Sequence, residues 1–239
     1  MLMLLPIVVA LAATEPVPAA STAPTTSSAP TPLKEIGRVR ALPACVPIVA
    51  HANGAISQAL DNDRTLAIMT NNLHATDFDK LNMLQRRNAI EALMKQAEAM
   101  RVASSAGDVE VKKLREYAVN SPDPQRKAEL KAFADALGGA LYRQKKAAVE
   151  FMRDVTIMRG REEAQEARDI MHRDNPVPPS LIAQQMNETA ANGGPLPQPP
   201  TTYNKQMRLI GDTLNELTQG ILVDEGIAAD HSIAATSGC

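Results

Sequence analysis

The stretch Leu130–Met158, LKAFADALGGALYRQKKAAVEFMRDVTIM, decides the fold. Within it Leu130, Ala134, Leu137, Leu141, Gln144, Ala148, Phe151, Val155 and Met158 follow one another at alternating spacings of four and three. An α-helix has about 3.6 residues per turn, so these positions line up as one stripe. Such a stripe packs along a second helix, as in a bundle or a coiled coil. Upstream, Ser121-Pro122-Asp123-Pro124 supplies a start. Ser121 or Asp123 can cap, and a proline at the first helical position gives up no hydrogen bond. Downstream the helix can continue to about Met171, but the seam turns polar at Glu162 and Gln165. Its last two turns are therefore expected to project into solvent. Gly138-Gly139 interrupts the seam without shifting its phase. That points to close approach of another helix, or a bend, rather than to a hinge.

Other segments carry weaker versions of the same pattern. A helix is expected from Cys45 or Pro47 to about Leu73, with Val49, Ile56, Leu60 and Ala67 on one face. Asn53-Gly54 and Asp61-Asn62-Asp63 allow a break inside it. Thr76, followed by Asp77 and Asp79, reads as an N-cap with carboxylates in the first turn, where they satisfy free amides and complement the helix dipole. Met83, Ile90, Leu93, Ala97 and Met100 would form the stripe of that helix, widened by Leu84 and Met94. Ser105-Ala106-Gly107-Asp108 suggests a stop and a restart, with Val111, Leu114 and Ala118 on a short helix beyond. A last helix begins near Thr202 and carries Met207, Ile210, Leu214, Leu217 and Ile221. No run of Val, Ile or Thr alternates convincingly with polar residues, and the apolar content is mostly Ala, Leu and Met, which favour helix. The expected fold is all-α: an elongated bundle of four to five helices with coiled-coil-like packing, residues 43–174 forming the main domain.

The flanks read differently. Residues 1–13 are apolar, and Ala10-Leu11-Ala12 resembles a signal-peptidase site, so this segment is expected to be a signal peptide. No Lys or Arg precedes the apolar run, which is atypical. The run is too short for a membrane-spanning helix, which needs about 20 apolar residues. Residues 14–42, rich in Pro, Ala, Ser and Thr, read as a disordered spacer that cannot bury enough apolar surface to offset its ordering entropy. Leu42-Pro43-Ala44-Cys45 superficially resembles a lipoprotein box, but Lys34, Arg38 and Arg40 stand where its apolar segment would have to be. Residues 175–201 read as a Pro-rich linker with a short helix around Ile182 and Met186, and residues 202–239 as the final helix and tail. Localisation is expected to be periplasmic or extracellular.

Few residues suggest chemistry. The chain has two cysteines, Cys45 and Cys239, at opposite ends of its folded part. In an oxidising compartment they are candidates for a disulfide, with unpaired thiols or a bridge to another molecule as the alternatives. A redox motif or covalent haem attachment would need a C-x-x-C spacing that two such distant cysteines cannot form. The four histidines are His51, His74, His172 and His231. Asp169-Ile-Met-His172 occurs once, whereas a di-iron bundle uses paired Glu-x-x-His motifs, and no zincin spacing is present. Asp61-Asn62-Asp63 begins like a calcium loop, but Leu66 and Asn72 occupy the positions that need glycine and a carboxylate. The eleven methionines fall on apolar stripes, as core fillers do.

Composition narrows the function classes. The net charge is −2 and basic clusters such as Lys112-Lys113 and Lys145-Lys146 are interleaved with acids, which does not suit a nucleic-acid surface. Three Phe, three Tyr and no Trp cannot build a base-stacking platform. The expected function is that of an exported, non-enzymatic binding or scaffolding protein without a cofactor. A protein partner or self-association is expected, and no stable membrane span. The alternative is a bundle that binds a metal or a small ligand.

Overall fold

The computed structural model describes residues 31–36, 43, 45–174 and 202–236. The side chains of Gln165, Arg168, Asp169 and residues 172–174 lie outside that description. So do the proposed signal peptide, most of the spacer, the Pro-rich linker and Cys239.

Four helices make up the fold: α1 (Val46–Ala75), α2 (Met83–Asn120), α3 (Pro124–Asp174) and α4 (Tyr203–Thr236). No strand occurs among the described residues. Each helix packs on the next, and α4 closes the ring against α1. Ion pairs across the seams show that neighbours run antiparallel. Arg86 near the start of α2 meets Glu162 late in α3, whereas Arg115 late in α2 meets Asp135 early in α3. Likewise His51 early in α1 meets Glu110 of α2, and His231 late in α4 meets Glu129 early in α3. The ring is an up-down-up-down four-helix bundle.

The α3 seam is buried along its whole length: all nine of its stripe positions, from Leu130 to Met158, are in the interior. Asp123 provides the cap, its carboxylate accepting from the Gln125 N–H at 2.9 Å. Gly138 and Gly139 leave α3 continuous. They admit neighbours on both sides, because a Cβ at Gly138 would lie 2.9 Å from Arg115 of α2, and one at Gly139 would lie 2.9 Å from Asp224 of α4. Met83 at the start of α2 lines one small surface cavity with Glu162 and Glu166, and the Tyr203 ring at the start of α4 is stacked on Arg86, which binds Glu162. Residues beyond 166 therefore run past both neighbours, and Ile170 and Met171 are 49% and 72% exposed there.

Several boundaries differ from the sequence expectation. α1 passes unbroken through Asn53-Gly54 and Asp61–Asp63. Its buried face is Ile48, Ala52, Ala55, Ile56, Ala59, Asn62, Leu66, Met69 and Leu73, so Val49, Leu60 and Ala67 lie to the side. The alanines carry the stripe because small side chains let α1 approach its neighbours closely. α2 is also unbroken through Ser105–Asp108. Gly107 there is a contact rather than a stop, since a Cβ would fall 2.8 Å from the buried Leu141 side chain.

α2 does not start at Thr76. Its cap is Asn82, which forms a reciprocal capping box with Gln85. This leaves Met83 and Leu84 exposed on the first turn. The carboxylates after Thr76 serve a different helix. Asp79 accepts from the Tyr203 N–H at 2.9 Å, and Asp77 accepts from the Asn204 side chain at 2.7 Å, so the α1–α2 loop caps α4. The hydrogen bond from Asn204, and then the adjacent Lys80, hold the Asp77 carboxyl below its ordinary value. Arg86 fastens the same loop by donating to the carbonyls of Phe78 and Leu81. At the opposite end residues 31–36, assigned to the spacer on composition, lie on the bundle. Leu33 is 6% exposed, and the Asn53 side chain both accepts from and donates to the Ile36 backbone.

Candidate functional site

The apolar interior is divided into two clusters. One holds Leu73, Phe78, Ile90, Phe151 and Met207. The other holds Ile48, Ala52, Leu114, Phe133 and Ala228. Between them lies a polar layer to which each helix contributes one buried side chain: Asn62 of α1, Ser104 of α2, Gln144 of α3 and Glu225 of α4. None is more than 4% exposed. Each continues its helix's apolar stripe, which is why all four point inward.

Gln144 is the hub. Its side-chain oxygen accepts from Asn62 Nδ2 at 2.9 Å, and Asn62 Nδ2 also donates to Ser104 Oγ at 2.9 Å. Gln144 Nε2 has three acceptors around it: the Ala59 carbonyl at 2.9 Å, Asp63 Oδ1 at 2.8 Å and Glu225 Oε1 at 3.4 Å. An amide nitrogen carries only two hydrogens. The two short contacts account for both, and Glu225 is left as the poorly served third acceptor. It is matched if it holds its own proton and donates it to Asp63, with which it is hydrogen-bonded. Burial first, and then the negative charge of Asp63, push the Glu225 carboxyl up to about 9. Burial likewise raises Asp63. Two adjacent carboxylates, one buried and one half-buried, without a cation cannot both ionise cheaply, so one proton is retained.

The cations on flanking turns are engaged elsewhere. Arg143 binds Asp224 at 2.7 Å, Arg64 binds Asp61 at 3.1 Å, and Lys145 approaches Asp108 at 3.9 Å. The arrangement can therefore hold and release a proton, and it ties the four helices in a single register.

The residues singled out from sequence fall elsewhere. Cys45 occupies the position before the first turn of α1, without a side-chain capping bond, and is 3% exposed, whereas Cys239 lies outside the described residues. Ala235, near the end of α4, shares an apolar cluster with Ile48 and Ala52, so the described end of α4 returns to the start of α1. The histidines do not converge. His51 pairs with Glu110 at 2.6 Å, His231 pairs with Glu129 at 2.7 Å, and His74 stands 3.7 Å from Asp212. Each bridges a different seam, and the His172 side chain lies outside those described. Among the described residues no three His, Cys, Asp or Glu side chains are grouped so as to hold a metal ion. Nor is any described helix long and apolar enough to cross a membrane.

Ser104 and Glu225 had no sequence-level signal as site residues, because polar residues are ordinary on any one helix, and Asn62 stood out only in a calcium-loop resemblance that fails at Leu66 and Asn72. A partial signal existed in Gln144, a polar residue inside an otherwise apolar seam. No family model matches this sequence, and it has no match among curated proteins or solved structures.

Proposed function

We propose that this chain is an exported, non-enzymatic helical bundle that acts by binding or scaffolding, at the cell envelope or outside the cell. The observation that carries the reading is how the buried polar layer is used. Asn62, Ser104, Gln144 and Glu225 are turned on one another and on Ala59 and Asp63. Side chains engaged in this way specify the register of four helices, a role known for buried polar groups in coiled coils. The exposed Ile170 and Met171 at the far end of α3 offer a place for a protein partner or a second copy. Export is supported by the apolar segment at residues 1–13, and a Cys45–Cys239 disulfide by the return of α4 to the start of α1.

The experiment is sedimentation of the full protein together with capture of partners from envelope fractions, comparing wild type with an Ile170→Asp/Met171→Asp variant. Self-association or a specific partner that the double variant loses supports the proposal. A strict monomer without a partner, turning over a substrate from a broad hydrolase panel, overturns it. Mass mapping under non-reducing conditions tests the disulfide and reads the processed N-terminus in the same measurement.

A further inference from the structure

The four seams of the bundle are unequal. α3 packs extensively on α2 and on α4, and α1 packs well on α2, whereas α1 and α4 share the sparsest seam. At mid-height that seam is bridged by the two acids Asp63 and Glu225, which meet at a single amide nitrogen. Towards one end it is bridged by the exposed His74 and Asp212, 3.7 Å apart. We propose that the Asp63–Glu225 pair is a proton-operated latch on the α1–α4 seam: with one shared proton the seam is closed, and loss of that proton parts α1 from α4 at the level of the pair, between the Asp77 and Asp79 caps at one end and the Ala235–Ile48 packing at the other.

The argument begins with the donor inventory. Gln144 has two hydrogens for three acceptors, so Glu225 is satisfied only as a donor. Deprotonation turns the Asp63–Glu225 hydrogen bond into two like charges in a layer that is otherwise uncharged. The charged groups on the surrounding elements do not relieve them. On α1, Arg64 is bound to Asp61; on α2, Asp108 faces Lys145; on α3, Arg143 is bound to Asp224. On α4, Asp224 adds further negative charge beside Glu225. Repulsion falls directly on the neighbouring pair of helices that pack most sparsely. α2 and α3, joined by Arg86–Glu162 and Arg115–Asp135 as well as by the deeper cores, stay together.

The direction with pH follows from proton linkage. The Glu225 carboxyl lies above its ordinary value of 4.5 in the folded chain, so the folded form binds more protons than the unfolded one. The latch is fully closed below the ordinary carboxylate range. It weakens as pH climbs towards about 9, where the folded-state group releases its proton.

The test is hydrogen exchange of the full chain, read helix by helix as protection factors at about pH 6 and about pH 10. Wild type should lose about 100-fold or more of its protection in α1 and α4 at the higher pH, with α2 and α3 much less affected. Glu225→Gln, whose amide is neutral at every pH and can still donate to Asp63, should show little change. A native-state measurement covers the case in which that variant does not fold: wild type at neutral pH should show the infrared carbonyl band of a buried protonated carboxyl, and that band should vanish as the pH is raised. The latch is overturned by equal loss of protection in wild type and Glu225→Gln, by loss spread evenly over all four helices, or by absence of the band.

Discussion

Replacing Gln144 by leucine isolates what the polar layer contributes to the fold. The side chain accepts from Asn62 and donates to Ala59 and to Asp63, with all three distances between 2.8 and 2.9 Å. Leucine fills a similar volume at a buried seam position, so no large cavity is expected. The loss is in satisfaction of the partners. The Asn62 amide keeps only Ser104, and the Asp63 carboxyl loses a donor. Each buried group left unmatched costs about 1–3 kcal/mol. Burial of the added apolar surface returns about 1–2 kcal/mol. The net is a loss of about 2–3 kcal/mol, or about 5–10 °C in the melting midpoint of a chain this size. Urea denaturation followed by far-ultraviolet circular dichroism at neutral pH measures it, with an unchanged denaturant slope showing that only stability has moved. Changing Asn62→Leu, Ser104→Ala, Gln144→Leu and Glu225→Leu together should behave differently. Only Asp63, which is half-buried and reaches water, is then left without its partners, and stability should recover most of the loss seen for Gln144→Leu while register and oligomeric state become less uniform. If Gln144→Leu alone is neutral, or the fourfold variant falls as far as the single one, the description of Gln144 as hub is wrong.

Other substitutions follow from the same geometry. Gly160→Ala should stabilise by about 1 kcal/mol, because nothing lies within 4 Å of the added Cβ and alanine is the better helix former. Gly107→Ala should destabilise by about 1–2 kcal/mol, and urea denaturation reads both glycine variants, since here the helix gain is outweighed by a 2.8 Å contact with the buried Leu141. Asn82→Ala removes the cap of α2 and should cost about 1 kcal/mol, with hydrogen exchange rising first in residues 83–86. Cys45→Ser should lower the melting midpoint under oxidising conditions and leave it unchanged, relative to wild type, under strong reductant; equal midpoints in oxidant would exclude the proposed disulfide.

The parts legible in sequence were those settled by one helix at a time. The nine-residue seam of α3 was readable in full because its spacing alone dictates which face is apolar, and every position is buried. The stripe of α4 was readable for the same reason. α1 was less so, since Ala52, Ala55 and Ala59 carry little hydrophobic signal and become core only through close approach. Asp77 and Asp79 looked like the first turn of α2 because a carboxylate after a threonine has that local meaning. Their actual partners, Tyr203 and Asn204, are 124 and 127 positions away.

By itself the sequence determined the helical class, a count of four to five helices and the long α3 seam, because propensity and periodicity are properties of contiguous residues. Only the tertiary structure decided the closing of the ring by α4 and the meeting of Asn62, Ser104, Gln144 and Glu225 at one level. The physical reason is that antiparallel packing sets heights across helices. A polar residue in a stripe has no meaning until the residues opposite it are known, and here they turn four unremarkable side chains, with Asp63 beside them, into one hydrogen-bonded layer.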